Sequence, residues 1–367
     1  MNKTLIKYLL KRTYPIILIV FAILLIVYPL PMLFVKLNDT GINLYTNVGS
    51  EGYENVYFNS YTSTHLYNST IFLMILAYIL PIFIRSMILS KPKCDLYLAL
   101  PIKKGKLFIT TSVFAYLAMI VAWTVMMLIG MGFTAIVHLP VRFGYYFLYI
   151  LTMYLVSLAA FATSTLMSSL ANNKFDAWLL AIIGIVLPLL IGLSLQVTEN
   201  KYSEVYYCAL SPIFAANNVT TFFEKSAIIY PDKVYSYFNT RNPGMLPTTG
   251  IPFLVSYISP IVLSVLFLGL SYLQTIKFKA EDAGELTRYR YSFKMIIPIL
   301  FFVVLYDSDL NSFFTQSGTL SLISILSYTT IFYFILFFIS KRKIKFDKWM
   351  VIFYFVSLIA ALGLRSF

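Results

Sequence analysis

The residue patterns that would carry out catalysis are missing from this sequence. It has no H-E-x-x-H pattern to place two zinc ligands on one helix face, and no G-x-S-x-G nucleophile turn. Gly105-Lys106 is similar to the end of a phosphate-binding loop. That loop needs Gly five residues earlier and Ser or Thr directly after, where this chain has Leu100 and Leu107. The sequence therefore predicts that the chain is not an enzyme and binds no metal or cofactor of its own.

Ionisable side chains within long apolar runs would indicate a proton or ion pathway across a membrane. The apolar runs of this chain contain no Asp, Glu or Lys. Arg85 lies at the end of one run, where we expect its long side chain to reach the polar interface, and His138 lies near the end of another. The pattern argues against an ion-coupled transporter or a selective cation channel, although backbone carbonyls alone can also coordinate ions.

One segment combines apolar and basic residues in a way that suits partner binding. A helix-like stretch, Leu96–Leu100, ends at Pro101 because proline disfavours the α conformation in the residue before it. Lysines flank this stretch on both sides, at 91 and 93 and again at 103, 104 and 106. A short amphipathic element of this kind can dock in a partner's groove. The alternative is a positively charged turn between two apolar spans.

These residues must be positioned by a chain that is 59% hydrophobic and only 12% charged. Soluble domains carry about twice that share of charge, and runs of about 18 or more apolar residues can cross a bilayer. The run Met295–Tyr306 is short, so it either begins near Tyr291 or is re-entrant. The predicted spans are Tyr14–Val35, Ser69–Met87, Leu107–Val137, Phe143–Leu170, Ala177–Leu195, Ile251–Thr275, Met295–Tyr306, Leu320–Ser340 and Trp349–Leu364.

The N-terminal segment and two long connections lie outside the predicted spans and have distinctive compositions. Met1–Arg12 is predicted to be either an interfacial amphipathic helix or a basic flank that orients the first span. Of the two long connections, Lys36–Asn68 is rich in Tyr, Asn, Ser and Thr, and Gln196–Gly250 is dense in aromatic residues, which favour the headgroup level of a membrane. Within the second of them, Ser211–Lys225 is predicted to form a short helix or two.

The distribution of positive charge predicts the orientation of the chain. If the N-terminus is cytoplasmic and every span crosses, 21 of the 28 Lys and Arg residues lie inside and 7 lie outside. Short cytoplasmic loops of membrane proteins collect Lys and Arg in this way. We therefore expect a multi-pass protein of the cell membrane with a cytoplasmic N-terminus, in contact with the lipid bilayer. The net charge of +13 is explained by these loops and does not predict a nucleic-acid partner.

Two motifs resemble those of a known family. The stretch Asp95–Phe108 resembles the x-L-P-[IV]-[ST/K]-[RK]-x-x-[IL]-[FV] stretch after the second span of bacterial type-2 ABC exporter permeases, through Leu100-Pro101-Ile102-Lys103-Lys104 and Leu107-Phe108. The run Phe278–Glu285 resembles an R-x-x-E-x-A-G-E stretch after the sixth span in a Gram-positive subgroup of that family. The order of an N-terminal segment, two spans, a loop, three spans, an outer segment and a sixth span is similar as well. The chain departs from the family after Lys294, where a six-span permease ends.

The resemblance implies roles for named residues at the cytoplasmic surface. The residues that would shape the coupling element or meet an ATPase are Lys91, Lys93, Asp95, Leu96, Leu98, Leu100, Pro101, Lys103 and Lys104. A possible second cytoplasmic contact comprises Glu281, Asp282, Glu285, Arg288 and Arg290. The alternative for this second group is a solvated helix with local ion pairs, each worth a few tenths of a kcal/mol.

The predicted fold class is all-α: a polytopic membrane protein with a six-span type-2 ABC permease core and two to three further C-terminal spans. The core covers residues 1–275, with the coupling loop at 88–106 and the extracytoplasmic segment at 196–250. A cytoplasmic linker at 276–294 and a membrane extension at 295–367 follow.

The resemblance implies a transmembrane permease subunit of an ATP-driven exporter of a hydrophobic or amphipathic peptide, antibiotic or lipid. Its partners would be ABC ATPase subunits, which bind the ATP and magnesium, and a second permease copy or related permease. Two alternatives remain. One is an ATP-independent secondary transporter or channel, and the other is a membrane sensor or scaffold that binds a ligand through its outer segment.

Overall fold

The structure is a computed structural model of the chain, and the residues that it describes are almost all helical. It describes residues 11, 19, 21–23, 25–26, 45–48, 54–57, 61–86, 89–91, 94, 102–136, 143–196, 211–227, 251–279, 281, 283–284, 292–307, 319–341 and 348–365. The helices are α1 Tyr61–Arg85, α2 Lys104–Ile136, α3 Phe143–Ser169, α4 Lys174–Gln196, α5 Pro212–Ala227, α6 Ile251–Lys277, α7 Ser292–Asp307, α8 Thr319–Lys341 and α9 Lys348–Arg365.

Five of these helices, α1 to α4 and α6, are long and apolar enough to cross a membrane. They coincide with the second to sixth predicted spans, so the chain is a multi-pass helical membrane protein. The C-terminal helices α7 to α9 also lie where spans were predicted. Their continuously apolar parts are shorter, at Ile296–Leu305, Thr329–Ile339 and Lys348–Ala360, and the total number of crossings stays a prediction.

The first predicted span, Tyr14–Val35, and the segment Met1–Arg12 lie largely outside the described residues. The residues described there, among them Lys11, Ile19 and Ile26, are helical. The predicted helix in Ser211–Lys225 is confirmed by α5, which is a single helix.

The connection Lys36–Asn68 contains a feature that was not predicted, a two-stranded antiparallel hairpin. Strand β1 is Tyr45–Val48 and strand β2 is Glu54–Tyr57, with Tyr45 paired to Tyr57 and Val48 paired to Glu54. The strands hold tyrosine, threonine and valine, which favour extended backbone, and two glycines lie in the intervening residues 49–53. Hydropathy does not detect such short strands.

The described residues fall into two compact units that do not follow chain order. Unit 1 comprises Met1–Leu80, Leu107–Phe161 and Pro212–Ser264, and unit 2 comprises Pro81–Lys106, Ala162–Ser211 and Val265–Phe367.

A polar and aromatic cluster links the helices of unit 1. The hydroxyl of Thr70 in α1 bonds to that of Tyr149 in α3, and it lies 2.8 Å from the hydroxyl of Thr220 in α5. Phe223 of α5 meets the Tyr149 ring edge-on at 5.8 Å. The buried side chain of Trp123 in α2 packs on Tyr149 at 6.1 Å. Helix α5 is therefore a packed part of unit 1.

Unit 2 has a core in which α7 packs against α4, α8 and α9. Its centre is Tyr333, which is fully buried, donates to the carbonyl of Met350 at 2.8 Å, and packs against Phe301 at 4.9 Å. The same core contains Ile82 and Leu89, which lie at the end of α1 and just beyond it. The C-terminal helices thus share a core with residues of the predicted six-span region.

Many large apolar side chains on the helices are exposed. On α2, Ile109, Val113, Leu117 and Val121 recur every four residues and form a continuous apolar stripe. Such a stripe would cause aggregation in water, whereas it matches a hydrocarbon environment. The helix surfaces therefore agree with a chain embedded in lipid.

Candidate functional site

The candidate site lies in unit 2 and is built from three connections that are predicted to be cytoplasmic. We call them the first inner connection (residues 86–103), the second (170–173) and the third (278–291). They follow α1, α3 and α6 respectively. Their described residues contact one another through hydrogen bonds and close packing.

The first inner connection continues the helical path of α1 for a short distance. The Ser86 amide donates to Ile82, the Leu89 amide to Arg85, and the Cys94 amide to the Ser90 carbonyl at 2.8 Å. Cys94 is fully buried. The turn from Ser90 to Cys94 leads directly into the predicted element Leu96–Leu100, which lies outside the described residues.

The second inner connection begins α4 with a reciprocal cap. The Asn173 carboxamide oxygen accepts the amide of Asp176 at 2.9 Å, and its nitrogen donates to the Asp176 carboxylate at 2.5 Å. The cap satisfies a backbone donor that the first helical turn leaves open. Both residues are buried. The predicted span began at Ala177 and excluded this pair, although the Asn-x-x-Asp spacing is a local signal for a helix start.

The third inner connection is hydrogen-bonded to the second and lies close to the first. Lys104, in the first turn of α2, donates its ammonium group to the Phe278 carbonyl at 2.7 Å. The Gly284 amide donates to the Asn172 carbonyl at 2.8 Å, and a side chain at Gly284 would approach the Lys91 backbone at 3.8 Å. Ala283 is buried and lies in a turn. One turn thus joins all three connections.

The structure describes part of the predicted contact set. Lys91 and Lys103 are exposed, Lys104 is half-buried on Phe278, and Glu281 is exposed. A side chain at Gly284 would approach the Lys91 backbone at 3.8 Å, so the two predicted groups of contact residues lie close together. The remaining members lie outside the described residues: Lys93, Asp95, Leu96, Leu98, Leu100, Pro101, Asp282, Glu285, Arg288 and Arg290.

The joined connections and the adjoining helix ends carry a strong positive charge. Glu281 is an exposed carboxylate among them. The charge suits an acidic protein surface or an anionic headgroup. We define the basic face as the exposed lysines of this region: Lys91, Lys103, Lys106, Lys174, Lys277 and Lys279.

Arg85, the last residue of α1, is 8% exposed. The expectation that it reaches the polar interface is wrong. Its guanidinium donates to the Thr165 carbonyl at 3.3 Å and to the hydroxyl of Thr275 at 2.9 Å, with Ser271 at 3.5 Å. The short polar side chains of α6 lie where they can accept these donors, so the charge turns inward.

We expect Gly284→Ala to loosen the joined connections, because Gly284 has a φ of +81° that L-residues adopt only with strain. The left-handed conformation costs a non-glycine residue about 1–2 kcal/mol. The matched control is Gly269→Ala, since Gly269 lies within α6 with open space around it and alanine favours a helix. Thermal unfolding in detergent should show a lower midpoint for the first variant only. Equal midpoints would contradict a strained turn.

The chain was compared with family models, curated proteins and solved structures, and none of them matches it. Within the described residues, no group of three or more His, Cys, Asp and Glu side chains could hold a metal ion. The features of the chain that bear on its function are the joined connections, their charge and the two sequence motifs.

Proposed function

We propose that this chain is a transmembrane permease subunit of an ATP-driven exporter of the type-2 ABC class, powered by a separate ATPase. One observation carries the proposal: Lys104 of the first family-like motif donates to the Phe278 carbonyl of the second, in a region that carries several exposed lysines. Gly284 of the second motif also donates its amide to the Asn172 carbonyl of the second inner connection. Joined connections can transmit a displacement applied at any one of them to α1, α3 and α6. A set of independent loops would absorb that displacement.

In this proposal the ATPase and the permease have separate roles. The separate ATPase binds ATP and magnesium, and its closure supplies the motion. The apolar interiors of the spans favour a hydrophobic or amphipathic cargo, such as a lipid, peptide or antibiotic, because their Asp, Lys and Arg residues lie in the end turns. These residues are Arg85, Lys104, Lys106, Lys174, Asp176 and Lys277. Alternating access also requires a second membrane half, either another copy or a related permease.

Co-purification with a candidate ABC ATPase subunit tests this proposal. We expect a stable complex whose ATP hydrolysis depends on the permease. Leu98→Asp should abolish the complex, because a charge would replace an apolar contact in the predicted coupling element. Leu98→Met keeps a similar apolar volume and is the control. If the parental chain forms no complex, or if both variants bind alike, the proposal fails.

A further inference from the structure

The buried guanidinium of Arg85 joins the C-terminal parts of three helices, the parts that belong to unit 2. Its two terminal nitrogens donate to Thr165 of α3 and to Ser271 and Thr275 of α6. The Ser271 hydroxyl also donates to the Thr165 carbonyl at 3.1 Å, so α3 and α6 are bonded to each other at the same point. Removing Arg85 would take one hydrogen bond from a charged donor away from each of these buried groups, and it would remove the bonds that tie the end of α1 to α3 and α6.

The three helices meet at Arg85 near their C-terminal ends. Arg85 is the last residue of α1, Thr165 lies in the last two turns of α3, and Thr275 lies in the last turn of α6. Each helix C-terminus carries about half a negative charge, so three of them close together repel one another. A single cation among them offsets that repulsion. Arginine suits this position better than lysine because its planar fork presents several donors in fixed directions.

Each of these helix ends is followed by one of the inner connections. The first starts directly after Arg85, the second after α3 and the third after α6. Arg85 therefore lies close to the start of all three inner connections. A displacement of that surface reaches α1, α3 and α6 at the point where the guanidinium holds them.

We infer that Arg85 is a positioning residue that makes α1, α3 and α6 respond together when the inner connections are displaced. The inference rests on the proposed function and deepens it, because it names the residue through which an ATPase would move three helices at once. The prediction is specific. Without Arg85 the ATPase still binds the basic face and hydrolyses ATP, but its cycle no longer changes the far ends of the helices.

The test uses the full complex in nanodiscs, with Cys94→Ala and Cys208→Ser in the background. Gly144→Cys, near the start of α3 where a side chain meets open space, reports access of a membrane-impermeant maleimide with and without ATP and vanadate. In the parental complex the two labelling rates should differ. In Arg85→Met they should become equal while ATP hydrolysis continues, and Arg85→Lys should restore part of the difference because it keeps the charge.

Several outcomes decide the matter. A nucleotide-dependent labelling difference in Arg85→Met that equals the parental one overturns the inference. If Arg85→Met does not fold, Thr275→Val is used instead, because it removes one acceptor of the guanidinium at nearly constant volume. A reduced nucleotide-dependent labelling difference in Thr275→Val supports the inference, and an unchanged difference overturns it. A parental chain that binds no ATPase refutes the proposed function itself. A parental complex that hydrolyses ATP without any labelling difference overturns the inference alone.

Discussion

Reversing three exposed lysines of the basic face should weaken binding of the ATPase about 100-fold, because roughly 3 kcal/mol of binding free energy corresponds to that ratio. The variant is Lys91→Glu, Lys103→Glu and Lys279→Glu. Lys91 and Lys103 lie in the first inner connection, and Lys279 lies in the third. An exposed ion pair contributes about 0.5–1 kcal/mol, and reversal replaces attraction by repulsion of similar size. Titration of the ATPase onto nanodisc-embedded chain measures the loss.

The matched control reverses the three lysines Lys201, Lys225 and Lys233, which are predicted to be extracytoplasmic. It changes the net charge of the chain equally but leaves the basic face intact, so binding should stay at the parental level. High salt should narrow the gap between the two triple variants, since screening weakens exposed charge pairs. Equal weakening in both variants would assign the effect to net charge and contradict a docking surface.

Tyr333→Ala should destabilise unit 2 by about 3–5 kcal/mol, the usual cost of truncating a buried aromatic side chain. Tyr333 is fully buried between Phe301 at 4.9 Å and Phe337 at 5.2 Å, with Tyr354 at 5.5 Å. The substitution removes all of these ring contacts and leaves a cavity at the centre of the core. Unfolding by increasing SDS in mixed micelles gives the change in the free energy of unfolding.

Two control variants separate the contributions at this position. Tyr333→Phe keeps the ring and removes only the bond to the Met350 carbonyl, which should cost about 1 kcal/mol. Phe332→Ala alters the neighbouring residue on the same helix, whose side chain is 45% exposed, and should change stability little. If Tyr333→Ala and Phe332→Ala behaved alike, the C-terminal helices would contribute no packed core.

Hydropathy predicted the helices well wherever an apolar run ends sharply. The predicted spans Phe143–Leu170 and Ile251–Thr275 agree with α3 and α6 to within two residues at each end. Helix α1 begins at Tyr61, eight residues before the predicted Ser69, because its first two turns are polar and hydropathy does not register them. The polar hairpin was missed for the same reason.

The candidate site could be predicted only in part, since its contacts are distant in sequence. The lysines and the Leu-Pro motif are visible locally, so the first inner connection could be singled out. The bond between Gly284 and Asn172 joins residues more than a hundred positions apart, and no local pattern signals it. Arg85 was wrongly expected to reach the interface because nothing near it in the sequence shows that Ser271 and Thr275 lie beside it.

The packing of α7 on α4 has a consequence for biosynthesis. Helix α4 ends at Gln196 and α7 ends only at Asp307, so the covering helix leaves the ribosome about a hundred residues later. At roughly 5–20 residues per second, α4 waits on the order of 5–20 s for its partner. During that interval the insertion machinery or the surrounding lipid must shield the small-residue surface around Ala177 and Ala181. Packing of α4 on α7 therefore cannot be completed until α7 has been synthesised, and slower translation would prolong the exposure of this surface to incorrect helix pairing.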